Sequence, residues 1–340
     1  MGPDGQPVWT RPKGLKTKYD FPKARRGGPD RFEFDVGSVK PGSPKRLDKF
    51  LLSRFRGYSR SFLQKLIKDG RVLVDGAAVK SSRHIATGER ITVLLPEAAK
   101  HEAEEIPFEV LHEDEHLIAL VKPAGVVVHP ARGNKDGTLY NGLLHYFRAQ
   151  LEEDPSFHLG TVHRLDEQTS GVMVYALDKK AHKDLTRQFE NRLLRKTYLC
   201  LVAGAPAWET REIDAPLGVD PRDKHVMAVN GLDAREAQTG FVRVSRSPCG
   251  RFALLRAHPR TGRSHQIRVH AKELGYPILG DVAYGGPGEH EAFGELRPRV
   301  CLHAETLELA HPIHGQPMRL HAPPPEDLRA MMDVLGLALQ

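Results

Sequence analysis

A charged cluster stands directly ahead of an apolar run in the stretch TVHRLDEQTSGVMVYAL, Thr161 to Leu177. The run from Gly171 to Leu177 carries no charge and is nearly all apolar, as expected of a strand buried within a sheet. His163, Arg164 and Asp166 precede the turn residues that lead into this strand. Asp, Thr, Ser and Gly all favour local turns, so turn formation is one interpretation of the cluster. The other interpretation is that Asp166 takes part in chemistry.

Length and composition indicate a soluble globular protein of about two domains. The chain has 340 residues, of which 40% are hydrophobic and 27% charged. No apolar run approaches the ~18 residues needed to span a bilayer, and the first residues lack the apolar stretch of a secretory signal. Three widely spaced cysteines, Cys200, Cys249 and Cys301, do not form a disulfide framework. We therefore expect a cytoplasmic protein.

Positive charge is concentrated in the first third of the chain. Residues 1–96 contain 21 Lys and Arg against 9 Asp and Glu, a net charge of +12, whereas the remainder has a net charge of −5. A phosphate-binding module attached to a body with another role has this distribution, and a well-solvated basic surface is the alternative. Residues 1–44 are rich in Gly, Pro, Lys and Arg without periodicity, and are predicted to be a flexible basic tail.

Residues 45–98 have the pattern of two helices, a hairpin and a closing strand. RLDKFLLSRF and SRSFLQKLIKDG predict short amphipathic helices, RVLVDGAAV predicts a hairpin turning at Asp75-Gly76, and GERITVLLP predicts the strand. This unit resembles the S-four-like domain, a small α/β RNA-binding domain. The resemblance implies that the second helix and the following turn face RNA. The phosphate contacts would come from Arg56, Arg60, Lys65 and Lys68.

The second domain is predicted over residues 106–325, after an acidic linker, and is strand-rich with intervening helices. Residues 326–340 are predicted to be a C-terminal tail. Within the domain, HPRTGRSHQIRVHAKELG predicts a helix of about three turns, capped by Ser264 and closed by Gly275. His265, Arg268 and Lys272 share one face of this helix. Such a face would keep a neighbouring carboxylate ionised, although a solvated basic face is the other interpretation.

Several kinds of site are excluded or disfavoured by what the chain lacks. It has neither a Gly-rich phosphate loop nor an HExxH or CxxC motif, and its 18 histidines show no zinc-site spacing. We therefore predict no bound metal. Hydrolysis of a glycoside needs two carboxylates facing one bond. Asp166 and Glu167 are adjacent, so on an extended chain they point apart, which disfavours a hydrolase.

Six segments, taken together and in this order, resemble the RluA-type pseudouridine synthases. They are VKPAGVVVHP, HRLDEQTSGVMV, RKTYLCLVAG, TGRSHQIRVHA, YPILGDVAYGG and LHAETLELAHP. The resemblance covers about residues 106–325, and a basic module in front is a common companion in that family. It implies an α+β fold, with a large mixed, mainly antiparallel sheet, flanking helices and a central active-site cleft.

The resemblance also implies roles for particular residues. Asp166 would be the nucleophilic aspartate, Arg268 would pair with it, and Tyr198 would stack on the target base. Lys196 would line the same pocket, and Arg164 would fill the gap left by the extruded base. With His163 and Ile267 added, the residues expected to bind the substrate are Arg164, Lys196, His163 and Ile267.

The implied reaction detaches uracil from its ribose, rotates it and rejoins it through carbon. It needs an ionised carboxylate beside the sugar, acting on the anomeric carbon or as a base at the ribose, and it requires no cofactor. Flipping the target base costs a few kcal/mol, which an aromatic platform would partly return. Large-subunit ribosomal RNA is the expected substrate, and transfer RNA is the alternative. A non-catalytic RNA-binding factor for ribosome assembly is the competing function, and a monomer without a membrane or protein partner is expected.

Overall fold

A computed structural model of the chain describes residues 25–28, 31–37, 46–55, 58, 60–95, 102–130, 134–154 and 157–339. The chain divides into two compact units, Met1–Lys100 and His101–Gln340, here named the front unit and the rear unit. Within the described ranges, none of the helices is long and apolar enough to cross a membrane.

The front unit is a five-stranded antiparallel sheet with two helices packed on it. Its elements are β1 Arg25–Gly28, β2 Arg31–Asp35, α1 Leu47–Arg54, α2 Arg60–Lys68, β3 Val72–Val74, β4 Ala77–Ala78 and β5 Arg90–Leu94, with strand order β1-β2-β5-β3-β4. The helices bury apolar side chains such as Leu47 and Leu63 against Ile91 of β5. Asp75 and Gly76 both have positive φ, as a tight two-residue hairpin turn requires, so this predicted hairpin is confirmed.

Strand β2 corrects the prediction that residues 1–44 lack regular structure. It pairs with β5 along its whole length, and Phe34 and the neighbouring Val36 are buried in the core. The alternation of Phe32, Phe34 and Val36 has the period of two that a half-buried strand shows. Gly, Pro and basic residues around it concealed this short pattern. The remainder of the predicted tail lies outside the described residues, apart from β1 and Gly37.

The rear unit is built on a ten-stranded sheet. Its strands are β6 Glu109–Glu113, β7 Leu117–Lys122, β8 Gly160–Thr161, β9 Ser170–Ala176, β10 Arg195–Ala203, β11 Thr210–Asp214, β12 Leu217–Val219, β13 Met227–Val229, β14 Leu232–Arg235, β15 Gln238–Arg246, β16 Phe252–Pro259, β17 Leu302–Ala310 and β18 Pro317–His321. Its helices are α3 Leu139–Tyr146, α4 Arg148–Glu153, α5 Lys179–Glu190, α6 Gln266–Glu273 and α7 Glu326–Leu335. The large sheet runs β11-β15-β16-β10-β17-β9-β7-β6, with β18 on β17 and β8 on β9. Strands β12 to β14 form a separate small sheet.

Helix α7 corrects the prediction that residues 326–340 are a tail. Leu328, Met331 and Leu335 lie on one face of this helix and are buried in the core of the rear unit. Their spacing of three and four residues is that of an amphipathic helix, and Gly336 ends it in the left-handed conformation. The segment is therefore part of the folded unit.

Pairing between strands aligns four functional segments at one level of the large sheet. Gly171 at the start of β9 lies opposite Ala304 of β17, which lies opposite Tyr198 of β10, which lies opposite Ala257 of β16. The β9–β17 pairing is parallel, so the loop ahead of β9 enters where β17 begins. The charged cluster at 163–166 and the turn after β16 are thereby brought towards Tyr198.

Candidate active site

A cavity of about 510 Å³ opens in the rear unit where these segments meet. All seven residues that the sequence placed in a catalytic pocket line this cavity: His163, Arg164, Asp166, Lys196, Tyr198, Ile267 and Arg268. They come from the loop before β9, from β10 and from α6, three segments spread over more than a hundred positions of the chain. The fold therefore gathers the predicted set into one site.

The loop that carries Asp166 is held from behind through its backbone carbonyls. The carbonyl of Glu167 accepts hydrogen bonds from the Gly125 N–H (2.9 Å) and from Nζ of Lys122 (2.9 Å). The carbonyl of Gln168 accepts one from Nη1 of Arg299 (3.0 Å). Because both carbonyls immediately follow Asp166 in the chain, these bonds fix the backbone that positions its carboxylate.

Lys122 is a fully buried lysine whose three hydrogen bonds all go to backbone carbonyls. Besides Glu167, its Nζ donates to the carbonyls of Pro123 and Val126, both at 2.6 Å. Burial, reinforced by the charge of Arg299, lowers the pKa of Lys122 to about 7. The side chain therefore serves the loop as a buried donor at physiological pH.

We expect the Lys122→Met variant to be less stable by at least about 2 kcal/mol, because buried carbonyls lose their donor. The unfolded chain keeps the lysine proton up to about pH 10.5, whereas the folded chain releases it near pH 7. Stability from this group is therefore lost as the pH falls towards 7 and recovered above it. The difference in unfolding free energy between wild type and Lys122→Met should grow from pH 7 to pH 9. Urea titrations at both pH values measure it, with the exposed Lys180→Met as control, and an unchanged difference would contradict the assignment.

Asp166 faces the cavity with one carboxylate oxygen in a hydrogen bond. Nη1 of Arg268 donates to its Oδ2 at 3.3 Å, so the predicted pairing of these two residues is present in the structure. Asp166 has about a quarter of its side chain exposed, whereas that of Arg268 is 11% exposed. The carboxylate can thus meet a substrate in the cavity while its counter-charge stays largely shielded from water.

Arg268 has a second and closer carboxylate partner that the sequence analysis did not assign. Its Nε and Nη2 donate to the two oxygens of Asp281 at 2.7 and 2.8 Å, and Asp281 is 1% exposed. The Tyr284 ring lies 4.9 Å from the guanidinium carbon. Although burial opposes the charge, the bonds to Asp281 and Asp166 raise the pKa of Arg268 above its ordinary value. Asp281 and Tyr284 both stand in LGDVAYGG, where glycines flanking a lone Asp were the available signal.

Helix α6 begins differently from the prediction that Ser264 caps it. The N-cap is His265, in the left-handed conformation with φ of 54° and without a side-chain cap. The side chain of Gln266 stabilises the turn before the helix, because its Oε1 accepts hydrogen bonds from the Arg263 N–H and from the Thr261 hydroxyl. His265 instead bonds the Tyr284 hydroxyl through Nδ1 at 2.7 Å. The predicted end of the helix, with Gly275 at positive φ, is confirmed.

Tyr198 and Lys196 lie on the first half of β10 and form one wall of the cavity. Burial, with the charge of Asp166 adding to it, raises the pKa of the Tyr198 phenol above its usual range, so this ring stays neutral. Burial and the nearby charge of Arg192 lower the pKa of Lys196 to about 8. Its Nζ donates to the carbonyl of Thr261 at 3.0 Å. The lysine is thereby oriented across the cavity towards the turn before α6.

His163, Ile267 and Arg164 differ in what they offer a substrate. Nε2 of His163 accepts from the Val174 N–H at 3.0 Å, and its ring stacks on Phe189. Burial and the charge of Lys196 lower the pKa of His163 to about 3, so it supports the wall as a neutral ring. Ile267 is buried and apolar, whereas Arg164 is exposed at the rim. Arg164 is therefore the one of these three able to reach outwards.

The predicted RNA-contacting residues of the front unit have unequal surroundings. Arg60 donates to the buried carboxylate of Asp48 at 2.7 and 3.1 Å, and Arg46 and Gln64 donate to the same group. Although burial opposes ionisation, these bonds hold the pKa of Asp48 below its usual range. Arg60 thus fastens α2 to α1. The other three predicted contacts are Lys65 and Lys68, which are exposed on α2, and Arg56, which lies outside the described residues.

Comparison with known proteins decides the family. A family model described as RNA pseudouridylate synthase matches residues 116–273, and an S4 domain model matches residues 45–91. A ribosomal large subunit pseudouridine synthase D of Xanthomonas campestris is 41% identical over 305 residues, which cover 86% of this chain and 89% of that protein. An uncharacterised RNA pseudouridine synthase of Bacillus subtilis is 35% identical, covering 89% of this chain and 98% of that protein. The chain belongs to the RNA pseudouridine synthase family.

Solved structures support the fold of this synthase. Human RNA pseudouridylate synthase domain containing 4 aligns with a TM-score of 0.56 at 25% identity, over 68% of this chain and 94% of that one. Human RNA pseudouridylate synthase domain containing 1 aligns with a TM-score of 0.53 at 24% identity, over 70% and 90% of the two chains. The predicted α+β fold with a large, mainly antiparallel sheet is confirmed, as is the identification of an RluA-type synthase behind an S-four-like domain. The protein is therefore an enzyme that isomerises uridine in RNA.

Proposed function

We propose that this synthase converts uridines to pseudouridine in structured large-subunit ribosomal RNA, in the cytoplasm and without a cofactor. The observation that carries the proposal is the Asp166 carboxylate on the cavity wall, bonded by Arg268 through one oxygen, with Tyr198 in the same wall. Support for the substrate comes from relatives of Xanthomonas campestris and Pseudomonas aeruginosa, both named ribosomal large subunit pseudouridine synthase D, at 41% and 38% identity.

Asp166 is the group that acts on the ribose of the target uridine. Cleavage of the glycosidic bond needs an ionised carboxylate at the sugar, on the anomeric carbon or as a base at the ribose. Arg268 supplies the counter-charge of Asp166 and orients it in a partly desolvated pocket. The detached uracil then turns within the cavity, and its C5 forms the new bond to the ribose in place of the broken N1 bond. The C5 hydrogen leaves as a proton, and N1 takes up a proton. Atoms are conserved in this exchange, so no further reactant is needed.

Base flipping brings the target uridine to Asp166. Unstacking a base costs a few kcal/mol, and stacking on the ring of Tyr198 returns ~1–3 kcal/mol of it. Arg164 is exposed at the rim and fills the space that the base leaves in the RNA. Lys196, Ile267 and His163 shape the wall against which the base rests.

The loss of the C5 hydrogen supplies a direct assay. The enzyme is incubated with large-subunit ribosomal RNA, transcribed with uridine tritiated at C5, and tritium released to water is counted. Sequencing of pseudouridines in RNA from cells with and without the gene locates the sites. We expect tritium release from this transcript. We also expect pseudouridine to disappear from ribosomal RNA positions in the deleted strain. Release from transfer RNA alone would refute the proposed substrate, and release of free uracil would identify a hydrolase.

Two lysines of the front unit test its contribution to RNA affinity. Lys65→Gln combined with Lys68→Gln should weaken binding to the transcript and reduce the slope of log K against log salt by about 1.4–1.8, because each of the two phosphate contacts contributes about 0.7–0.9 to that slope. The rate of isomerisation at saturating RNA should stay unchanged. Salt titrations of binding measure the effect, with each single variant also compared with the exposed Lys80→Gln, which likewise removes one charge. Equal slopes for wild type and the double variant would show that this face of α2 does not meet RNA.

A further inference from the structure

The guanidinium of Arg268 lies between two carboxylates and divides its donors unequally. Asp281 takes the two-bond fork of Nε and Nη2 at 2.7 and 2.8 Å, while Asp166 receives one longer bond of 3.3 Å from Nη1. A two-bond Arg–carboxylate pair is strong and sets the plane of the guanidinium. The direction in which Nη1 points is therefore decided by Asp281.

Asp281 is itself fixed by a tight backbone turn. Its N–H donates to the carbonyl of Ile278, and its carbonyl accepts from the N–H groups of Tyr284 and Gly286. A Cβ on Gly286 would stand 1.7 Å from the Ile278 carbonyl oxygen, and one on Gly280 would stand 2.0 Å from that of Arg299. Both glycines are thus required for the chain to fold back this closely. The carboxylate of Asp281 has little freedom to follow Arg268 if that side chain moves.

The other side of the guanidinium is closed by an aromatic ring. Tyr284 is 1% exposed and lies 4.9 Å from the Arg268 carbon, which is within cation–π range. Its hydroxyl accepts from the Met227 N–H at 2.9 Å and is bonded to Nδ1 of His265 at 2.7 Å. The ring is therefore held through its hydroxyl, and Arg268 is confined between Tyr284 and Asp281.

We propose that Asp281 is a positioning residue that holds the fork of Arg268 away from Asp166, leaving one oxygen of Asp166 free for the ribose. This inference rests on the proposed function, in which Asp166 acts on the sugar. Among the contacts of the described residues, the Asp166 side chain makes its hydrogen bond through Oδ2. Without Asp281, the two-bond fork of Arg268 would turn to Asp166 and occupy both oxygens. The carboxylate would then lose its access to the substrate.

The test measures chemistry and binding separately in single variants and in one double variant. Tritium release is followed with enzyme in excess over total RNA, labelled at uridine C5 and taken from cells lacking the gene, so the result does not depend on which RNA is the substrate. Asp281→Asn should slow the single-turnover rate about 10- to 100-fold, as expected for a misaligned reacting group, with RNA affinity within about threefold of wild type. Asp281→Glu, which keeps the charge and moves the carboxylate by one methylene, should also be slow. The matched control is Glu305→Gln, which breaks another two-bond pair, with Arg256, outside the cavity and should react at the wild-type rate.

A double variant separates positioning from general damage. If Asp281 acts through Arg268, then adding Asp281→Asn to Arg268→Lys should change the rate by less than about threefold, because lysine cannot make the fork. Losses that multiply in the double variant would overturn the proposal, and so would a wild-type rate in Asp281→Asn or Asp281→Glu. Should Asp281→Asn fail to bind RNA or to melt cooperatively, Asp281→Glu carries the test. Failure of the proposed function is distinguishable, since wild type and the Glu305→Gln control would then be inactive together.

Discussion

The Asp166→Asn variant should lose isomerisation by at least about a thousandfold, because the amide can neither attack the anomeric carbon nor act as a base at the ribose. Asparagine has the shape of aspartate and can still accept the bond from Nη1 of Arg268. The loop is held through the carbonyls of Glu167 and Gln168, which the substitution leaves in place. RNA affinity should therefore stay within about threefold of wild type. Single-turnover tritium release and a binding titration measure the two effects.

The neighbouring carboxylate supplies the control for this prediction. Glu167→Gln removes the same charge one residue further on, from a side chain that is exposed. It should leave the rate nearly unchanged. If Asp166→Asn retained a rate comparable to that of Glu167→Gln, Asp166 would not be the group that acts on the substrate. Weak binding with normal chemistry in Asp166→Asn would assign it to RNA recognition instead.

The Gly171→Ala variant should destabilise the rear unit by roughly 3 kcal/mol or more. Gly171 has a φ of +119°, and a Cβ there would lie 2.3 Å from the carbonyl oxygen of Ala304 and 2.6 Å from its nitrogen. These are backbone atoms of the paired strand β17, so β9 must move away from it. Because Gly171 follows the Asp166 loop by a few residues, this movement displaces the carboxylate. We expect the melting temperature to fall by roughly 10 °C and the rate to fall with it.

Gly240→Ala is the matched control for Gly171→Ala. Gly240 also lies within the large sheet, but nothing stands within 4 Å of the position that its Cβ would occupy, and its φ is not in the left-handed region. Alanine there should change the melting temperature by little. Calorimetry on both variants compares the two sites. Equal melting temperatures for Gly171→Ala and wild type would mean that β9 and β17 are not packed as closely as described.

Local pattern was sufficient for the elements whose residues act on their own backbone. The Asp75-Gly76 turn and the amphipathic helix Arg60–Lys68 both followed from neighbouring residues. Two elements were not predicted, and both for one reason. Strand β2 and helix α7 have short apolar patterns within segments of polar, Gly-rich or terminal composition, and long-range burial of Phe34 and Leu328 stabilises them.

The start of α6 shows where local reasoning gives the wrong residue. Ser264 is a good N-cap by type, yet the helix begins after His265 in a left-handed conformation. Tertiary bonds outweigh the local preference, because Gln266 ties the turn to Thr239 and Gln238 of β15, while His265 bonds Tyr284. Such partners are far away in the chain, and their distances are not readable from spacing.

The sequence by itself determined which residues are candidates for the site and which family the chain belongs to. Both follow from six motifs in order, and the residue types in these motifs do not depend on how the chain packs. It also determined the separation of a basic front from an acidic rear, because charge is a property of composition. Only the tertiary structure decided which of these groups bond to one another. The strand register brings Asp166 to Arg268, and the turn at Gly280–Gly286 adds Asp281, which competes for the same guanidinium. A hydrogen bond forms or is lost when the distance between two atoms changes by a few tenths of an ångström. Asp166 and Arg268 are over a hundred positions apart, and only the folded chain sets the distance between them.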